Sequence, residues 1–73
     1  MPFDPEPVTL WTLRRDMMTA SAIVQFNPLG TQICILRNDA PLYSRVFPWG
    51  EGKDALTWAE NERVQLIEKE WTA

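Results

Sequence analysis

Residues 8–47 carry runs rich in Val, Ile, Thr and aromatic side chains, broken at short intervals by turn-forming residues. Such runs predict strands, and four are marked out at 8–15, 19–26, 31–37 and 40–47. Asn27-Pro28-Leu29-Gly30 has the composition of a type I turn, with Pro second and Gly fourth. Asn38-Asp39 suits a type I′ hairpin tip, because both residues tolerate positive φ. Asp16-Met17 is a poorer tip, since the second position usually wants glycine. Taken together, the three turns fix a register. In it Leu13 faces Ala20, Trp11 faces Ala22, Ala22 faces Ile35, Val24 faces Ile33, Ile35 faces Leu42 and Ile33 faces Ser44. One face then collects Trp11, Leu13, Ala20, Ala22, Val24, Phe26, Ile33, Ile35, Leu42 and Val46.

After residue 54 the spacing of apolar positions changes to three and four, which predicts a helix over about 55–70. Asp54 is placed to cap it, its carboxylate accepting from free amides of the first turn. Leu56, Ala59, Val64, Ile67 and Trp71 form the expected apolar stripe, with Trp58 pointing away from it. A sheet with one apolar face needs a lid, and this stripe supplies one. The expected architecture is α+β: a four-stranded antiparallel meander with one C-terminal helix packed on one face, in the order ββββα. Prolines at 2, 5 and 7 keep residues 1–7 out of any helix or central strand, leaving an extended arm on which Phe3 is the group able to dock. Residues 8–73 form a single small domain.

The same register populates the second face. Leu10, Ile23, Cys34 and Tyr43 form one row across all four strands. Thr12, Ser21, Leu36 and Pro41 form the next, and Val8, Gln25, Gln32 and Arg45 the row on the other side. A single helix covers one side of such a sheet, so the apolar middle row would face water in a monomer. Contiguous exposed apolar surface of this kind marks interfaces. The candidate interface residues are Leu10, Ile23, Cys34, Leu36, Tyr43 and Arg45. Trp49 and Trp58, which bracket the glycine turn, are candidate aromatic anchors for a partner.

Composition narrows the chemistry. The chain has 73 residues, 45% of them hydrophobic, with four Trp, one Cys and no His. That is the make-up of a folded chain too short for a large core. A lone Cys34 excludes an internal disulfide, and without His there is no plausible zinc set. No cofactor or metal site is expected. Charge is uneven: the strand region is slightly basic, the helix region acidic, and the whole chain carries −3. Nothing resembles a signal peptide, and no apolar run approaches membrane-spanning length. The expectation is a soluble cytoplasmic protein, its thiol kept reduced.

Gly50-Glu51-Gly52-Lys53, set between strand and helix, invites comparison with phosphate-binding loops. A P-loop needs four residues between its glycines and Ser or Thr after its lysine. Here one residue separates the glycines, and Asp54 follows Lys53, where a carboxylate repels phosphate. The glycines read instead as a chain reversal. Catalysis has little to draw on: there is no His, and Cys34 lies mid-strand with only Arg45, diagonal on the next strand, to activate it, so a half-buried structural cysteine is the expectation.

Three functional classes follow in order. First stands a non-enzymatic interaction or regulatory module, self-associating as a homodimer through its open sheet face or edge strands, or binding a protein partner there. Second is a single-stranded nucleic-acid-binding domain. Small four-strand-plus-helix domains include the single-strand-binding transcriptional coactivators, whose curved sheets hold nucleic acid, and by that architectural analogy Tyr43, Arg45, Arg14 and Phe47 would contact bases and phosphates. The acidic balance of the chain argues against it. A small enzyme is a distant third.

Overall fold

A computed structural model describes residues 6–73. The predicted docking of Phe3 lies outside the described residues. Four strands precede one helix: β1 (Val8–Arg15), β2 (Met18–Asn27), β3 (Gly30–Arg37), β4 (Ala40–Phe47) and α1 (Gly52–Glu68). The strands pair antiparallel with their chain neighbours, in the spatial order β1-β2-β3-β4. The ββββα meander expected from the turn residues is the architecture the chain adopts.

All three hairpin tips fall where their residues predicted. Asn38 and Asp39 both take positive φ (52° and 65°), as a type I′ turn demands. At the first tip only Asp16 does so (φ 55°), which explains how Met17 is tolerated without glycine beside it. In the second turn the Asn27 side-chain oxygen accepts from the amides of Leu29 and Gly30, at 2.9 and 3.1 Å. Gly30 has φ +146°, and a Cβ there would lie 2.1 Å from the Phe47 carbonyl oxygen. The close pairing of β3 with the end of β4 therefore requires glycine.

Two β-bulges alter the predicted register. One lies between Thr9 and Trp11, the other opposite the Ile35–Leu36 step. An extra residue on one strand of a pair reverses the inside–outside parity of what lies beyond it. In β4 the slip pairs Ile35 with Tyr43 and Ile33 with Arg45, where the regular register expects Leu42 and Ser44. Tyr43, Arg45 and Phe47 thus turn toward the helix, while Leu42 and Val46 turn to the open face. Pro41, which has no amide to give to the ladder, sits at the bulge. In β1 the bulge takes Leu10 out of the open-face row, and Leu10 packs against the buried cluster beside Trp11.

The core lies between α1 and the sheet. Leu13, Ala20, Ala22, Val24, Ile33, Ile35 and Phe47 come from the strands, Ala55 and Ala59 from the helix. At the contact the small side chains let the helix backbone lie close, and tryptophans wall the flanks. The Trp11 indole N–H donates to the Ala59 carbonyl at 3.1 Å, tying β1 to α1. The helix runs diagonally, from Ala55 beside Phe47 at the end of β4 to Trp71 beside Leu13 in β1. Its buried positions are Ala55 and Ala59, with Leu66 half-buried; of the predicted stripe Ala59 and Trp71 are in the core. Leu56, Val64 and Ile67 are largely exposed, and Trp58 packs against the core cluster instead of pointing away.

Both helix ends differ from expectation. α1 begins at Gly52, and Glu51, with no side-chain capping bond, occupies the cap position assigned to Asp54. Asp54 instead lies in the first turn, where its charge favours the positive end of the helix. Of the two glycines only Gly50 makes the reversal: its φ is +94° in a turn closed by the Glu51 amide on the Pro48 carbonyl, 3.0 Å. At the other end Glu70 takes φ 72°, its amide donates to the Ile67 carbonyl, and the Trp71 amide donates to the Leu66 carbonyl. This is a Schellman motif, completed by packing of Leu66 on the Trp71 cluster. The turn seats Trp71 in the core and lays Thr72 against β1, where its amide and carbonyl exchange bonds with Arg14 at 2.8 and 2.6 Å.

Gly30→Ala combines backbone strain with a clash against main chain and is expected to lose about 2–5 kcal/mol of stability. Gly50→Ala meets no neighbouring atom, so its loss should stay at about 1–2 kcal/mol of left-handed strain. Denaturant midpoints of the two variants test this ranking. Glu70→Gly relieves the same strain at the helix end and should raise stability by about 1 kcal/mol.

Candidate functional site

Because β4 is last in the sheet order, its outer edge has no strand beside it among the described residues. Every residue of 40–46 is exposed. Chemistry gathers on both sides of this strand.

On the helix side, Tyr43, Arg45 and Phe47 project from alternate positions toward Trp58. The Tyr43 ring meets Trp58 edge-on at 6.2 Å, and Phe47 meets it tilted at 6.0 Å. The Arg45 guanidinium lies 4.7 Å from the Phe47 ring centre and 6.0 Å from that of Trp58, a cation held on aromatic faces. A groove of about 330 Å³ runs alongside, with Glu51 and Asp54 on its helix rim. The Tyr43 hydroxyl donates to Glu62 at 2.8 Å, pinning the top of β4 to α1. Burial against α1, that hydrogen bond and the Glu62 charge push the phenol up to about 12, against a smaller downward pull from Arg37.

The open face is more polar than the regular register predicts. Ile23 and Cys34 keep their places, but their row now ends in Thr9 and Ser44, where Leu10 and Tyr43 were expected. Thr12, Ser21, Leu36 and Pro41 form the neighbouring row as predicted. Hydroxyls and amides join across strands, Thr12 to Ser21 and Gln32 to Ser44, each at 3.3 Å. In exchange Leu42 and Val46 arrive, 53% and 43% exposed. The apolar surface has thereby moved from the middle of the sheet to the β4 side, as Leu36, Pro41, Leu42 and Val46.

Of the residues singled out from sequence, Ile23, Cys34 and Leu36 lie on the open face. Tyr43, Arg45 and Trp58 meet on the helix side, and Leu10 joins the core margin. Trp49 stands apart from Trp58: it stacks on Phe26 at 6.4 Å and donates its indole N–H to the Pro28 carbonyl. Leu42, Val46 and Glu62 were missed. Pro41 was the available signal for the first two, since proline within a strand marks an edge or a bulge. On the other flank of the helix an apolar hollow of about 280 Å³ opens between Val24, Phe26 and Leu56. Among the described residues no helix is long and apolar enough to cross a membrane, and no group of three potential metal ligands comes together.

Comparison with protein-family models, with curated proteins and with solved structures gives no match for this chain. Its functional reading rests on its own geometry.

Tyr43 is the chain's single tyrosine, so tyrosinate absorbance reports it alone. The folded protein should titrate at about 12, and Glu62→Gln should move that downward. A raised phenol value stabilises the fold fully below about 10, and this contribution fades as pH rises from there through about 12. Titration of the folded protein at the ordinary phenol value would remove the Tyr43–Glu62 tie.

Proposed function

We propose that the protein is a non-enzymatic interaction module that self-associates along the free edge of β4 and the apolar strip beside it. The observation that carries this reading is the coincidence of two unpartnered features on one strand. An edge strand presents main-chain donors and acceptors to any other strand, and proteins blunt such edges with proline, bulges or charge. Here Pro41 and the bulge blunt only the beginning of β4. Residues 43–47 continue as regular strand, flanked on the open face by Leu36, Leu42 and Val46. Apolar contact beside an open ladder supplies both specificity and driving force for association.

The alternative reading, single-stranded nucleic-acid binding, is less favoured by this geometry. Tyr43, Arg45 and Phe47 face the helix side and Arg14 the opposite side, so they form no common surface. Arg45 shares its groove with Glu51 and Asp54, which oppose phosphate. The groove offers binding groups, a cation on aromatic rings and carboxylates across from it, without a nucleophile and base in contact. A reducing cytoplasm, where Cys34 stays a thiol, belongs to the same proposal.

Light scattering at micromolar concentration is expected to give twice the 8.5 kDa chain mass. Leu42→Lys should lower that mass while circular dichroism stays unchanged, because the side chain is exposed in the single chain. A monomer throughout the accessible concentration range, or a dimer indifferent to Leu42→Lys and Val46→Lys together, overturns the proposal.

A further inference from the structure

Resting on that self-association, we infer that two copies join β4 to β4, antiparallel, about a two-fold axis at Ser44, making one continuous eight-stranded sheet. A two-fold interface is self-complementary: if one residue contacts a second, the second contacts the first on the other copy. Residues directly opposite in antiparallel strands point to the same face. Two identical strands therefore meet with a residue at the axis, never with the axis between two residues of opposite facing. The regular part of β4 allows only a few choices.

An axis at Arg45 sets two guanidiniums against each other, and like charges directly opposite are unfavourable. An axis at Val46 leaves almost no strand to pair, since β4 ends at Phe47. An axis at Tyr43 stacks two phenols and sets Leu42 against Ser44. The axis at Ser44 sets the smallest available side chain against its own copy, and opposes Leu42 to Val46 twice on the open face. On the helix side it opposes Arg45 to Tyr43 twice. The Tyr43 hydroxyl already holds the Glu62 carboxylate at 2.8 Å, so each arginine reaches an aromatic ring and an anion of the other copy. Apolar pairs meet on one face and opposite charges on the other. Pro41, lacking an amide, lies beyond the bulge and outside this regular register, where its missing donor interrupts nothing central. Both helices then lie on the same face of the joined sheet.

Disulfide trapping tests this register. Ser44 is the direct cross-strand partner of Cys34, so a new thiol there would be captured within the chain, and the experiment uses a Cys34→Ser parent. Under mild oxidation Ser44→Cys in that parent should give a covalent dimer as the main product, because opposed positions lie within disulfide reach. Leu42→Cys and Val46→Cys should each fail to cross-link alone and should cross-link when mixed. Light scattering of the parent separates the possible failures. If the parent is dimeric but Ser44→Cys links no faster than the single controls and the mixture does not link, this register is overturned while self-association stands. If the parent is monomeric, both fall.

Discussion

The whole domain depends on how closely one helix can lie on a four-stranded sheet. Ala22 on β2 and Ala55 and Ala59 on α1 provide that closeness, each fully or almost fully buried. Larger side chains at these places would lift the helix and open a gap across a core that is already small. The bulk needed to seal the contact comes from its margins: Trp11, Trp58 and Trp71. Trp11 does more than fill space, since its indole N–H satisfies the Ala59 carbonyl and fixes the helix along its axis. The four tryptophans of so short a chain are thus mostly accounted for by a thin interface that needs thick walls.

The diagonal course of α1 follows from where those walls stand, and it determines what remains uncovered. One corner, at Val24, Phe26 and Leu56, is an apolar hollow. The other is the aromatic and arginine groove beside β4. The bulge at the start of β4 then decides which side chains occupy that groove. It turns Arg45 and Phe47 into the groove and Tyr43 onto Trp58 and Glu62 of the helix, and sends the side chains of Leu42 and Val46 out to the open face. A single extra residue thereby separates a polar, charge-bearing surface from an apolar one on the two sides of the same strand.

Element order, hairpin tips and the inner faces of β2 and β3 were legible in the sequence because each rests on local chemistry. Asn38-Asp39 can hardly be anything but a tight turn, and Ala22, Val24, Ile33 and Ile35 alternate without interruption. The bulges were not legible by alternation alone, since Leu42, Ser44 and Val46 offer as good an inward pattern as Tyr43, Arg45 and Phe47. What decides between them is the greater area of Tyr43 and Phe47 against Trp58, a tertiary effect. Pro41 was a local hint that regular pairing would break. The helix face was legible only in part, Ala59 and Trp71 being placed correctly and the rest not, for a related reason. Leu56, Val64 and Ile67 are the more hydrophobic stripe, yet the sheet admits the alanine face because close approach buries more than larger side chains would at a distance. Residues such as Glu62 gain meaning only through the fold, here through the phenol of Tyr43.

The small bridge between Thr72 and Arg14 bears on size. It occupies the outer side of β1 near one end, and the bulge at Leu10 distorts the same strand toward the other. A sheet with two open sides can add copies without limit and grow into a filament, whereas one with a single usable side stops after one addition. Thr72 bonds to a single residue near the end of β1, so among the described residues β4 has the less obstructed edge. If copies join through β4 as proposed, the obstruction on β1 favours a closed pair over a growing sheet.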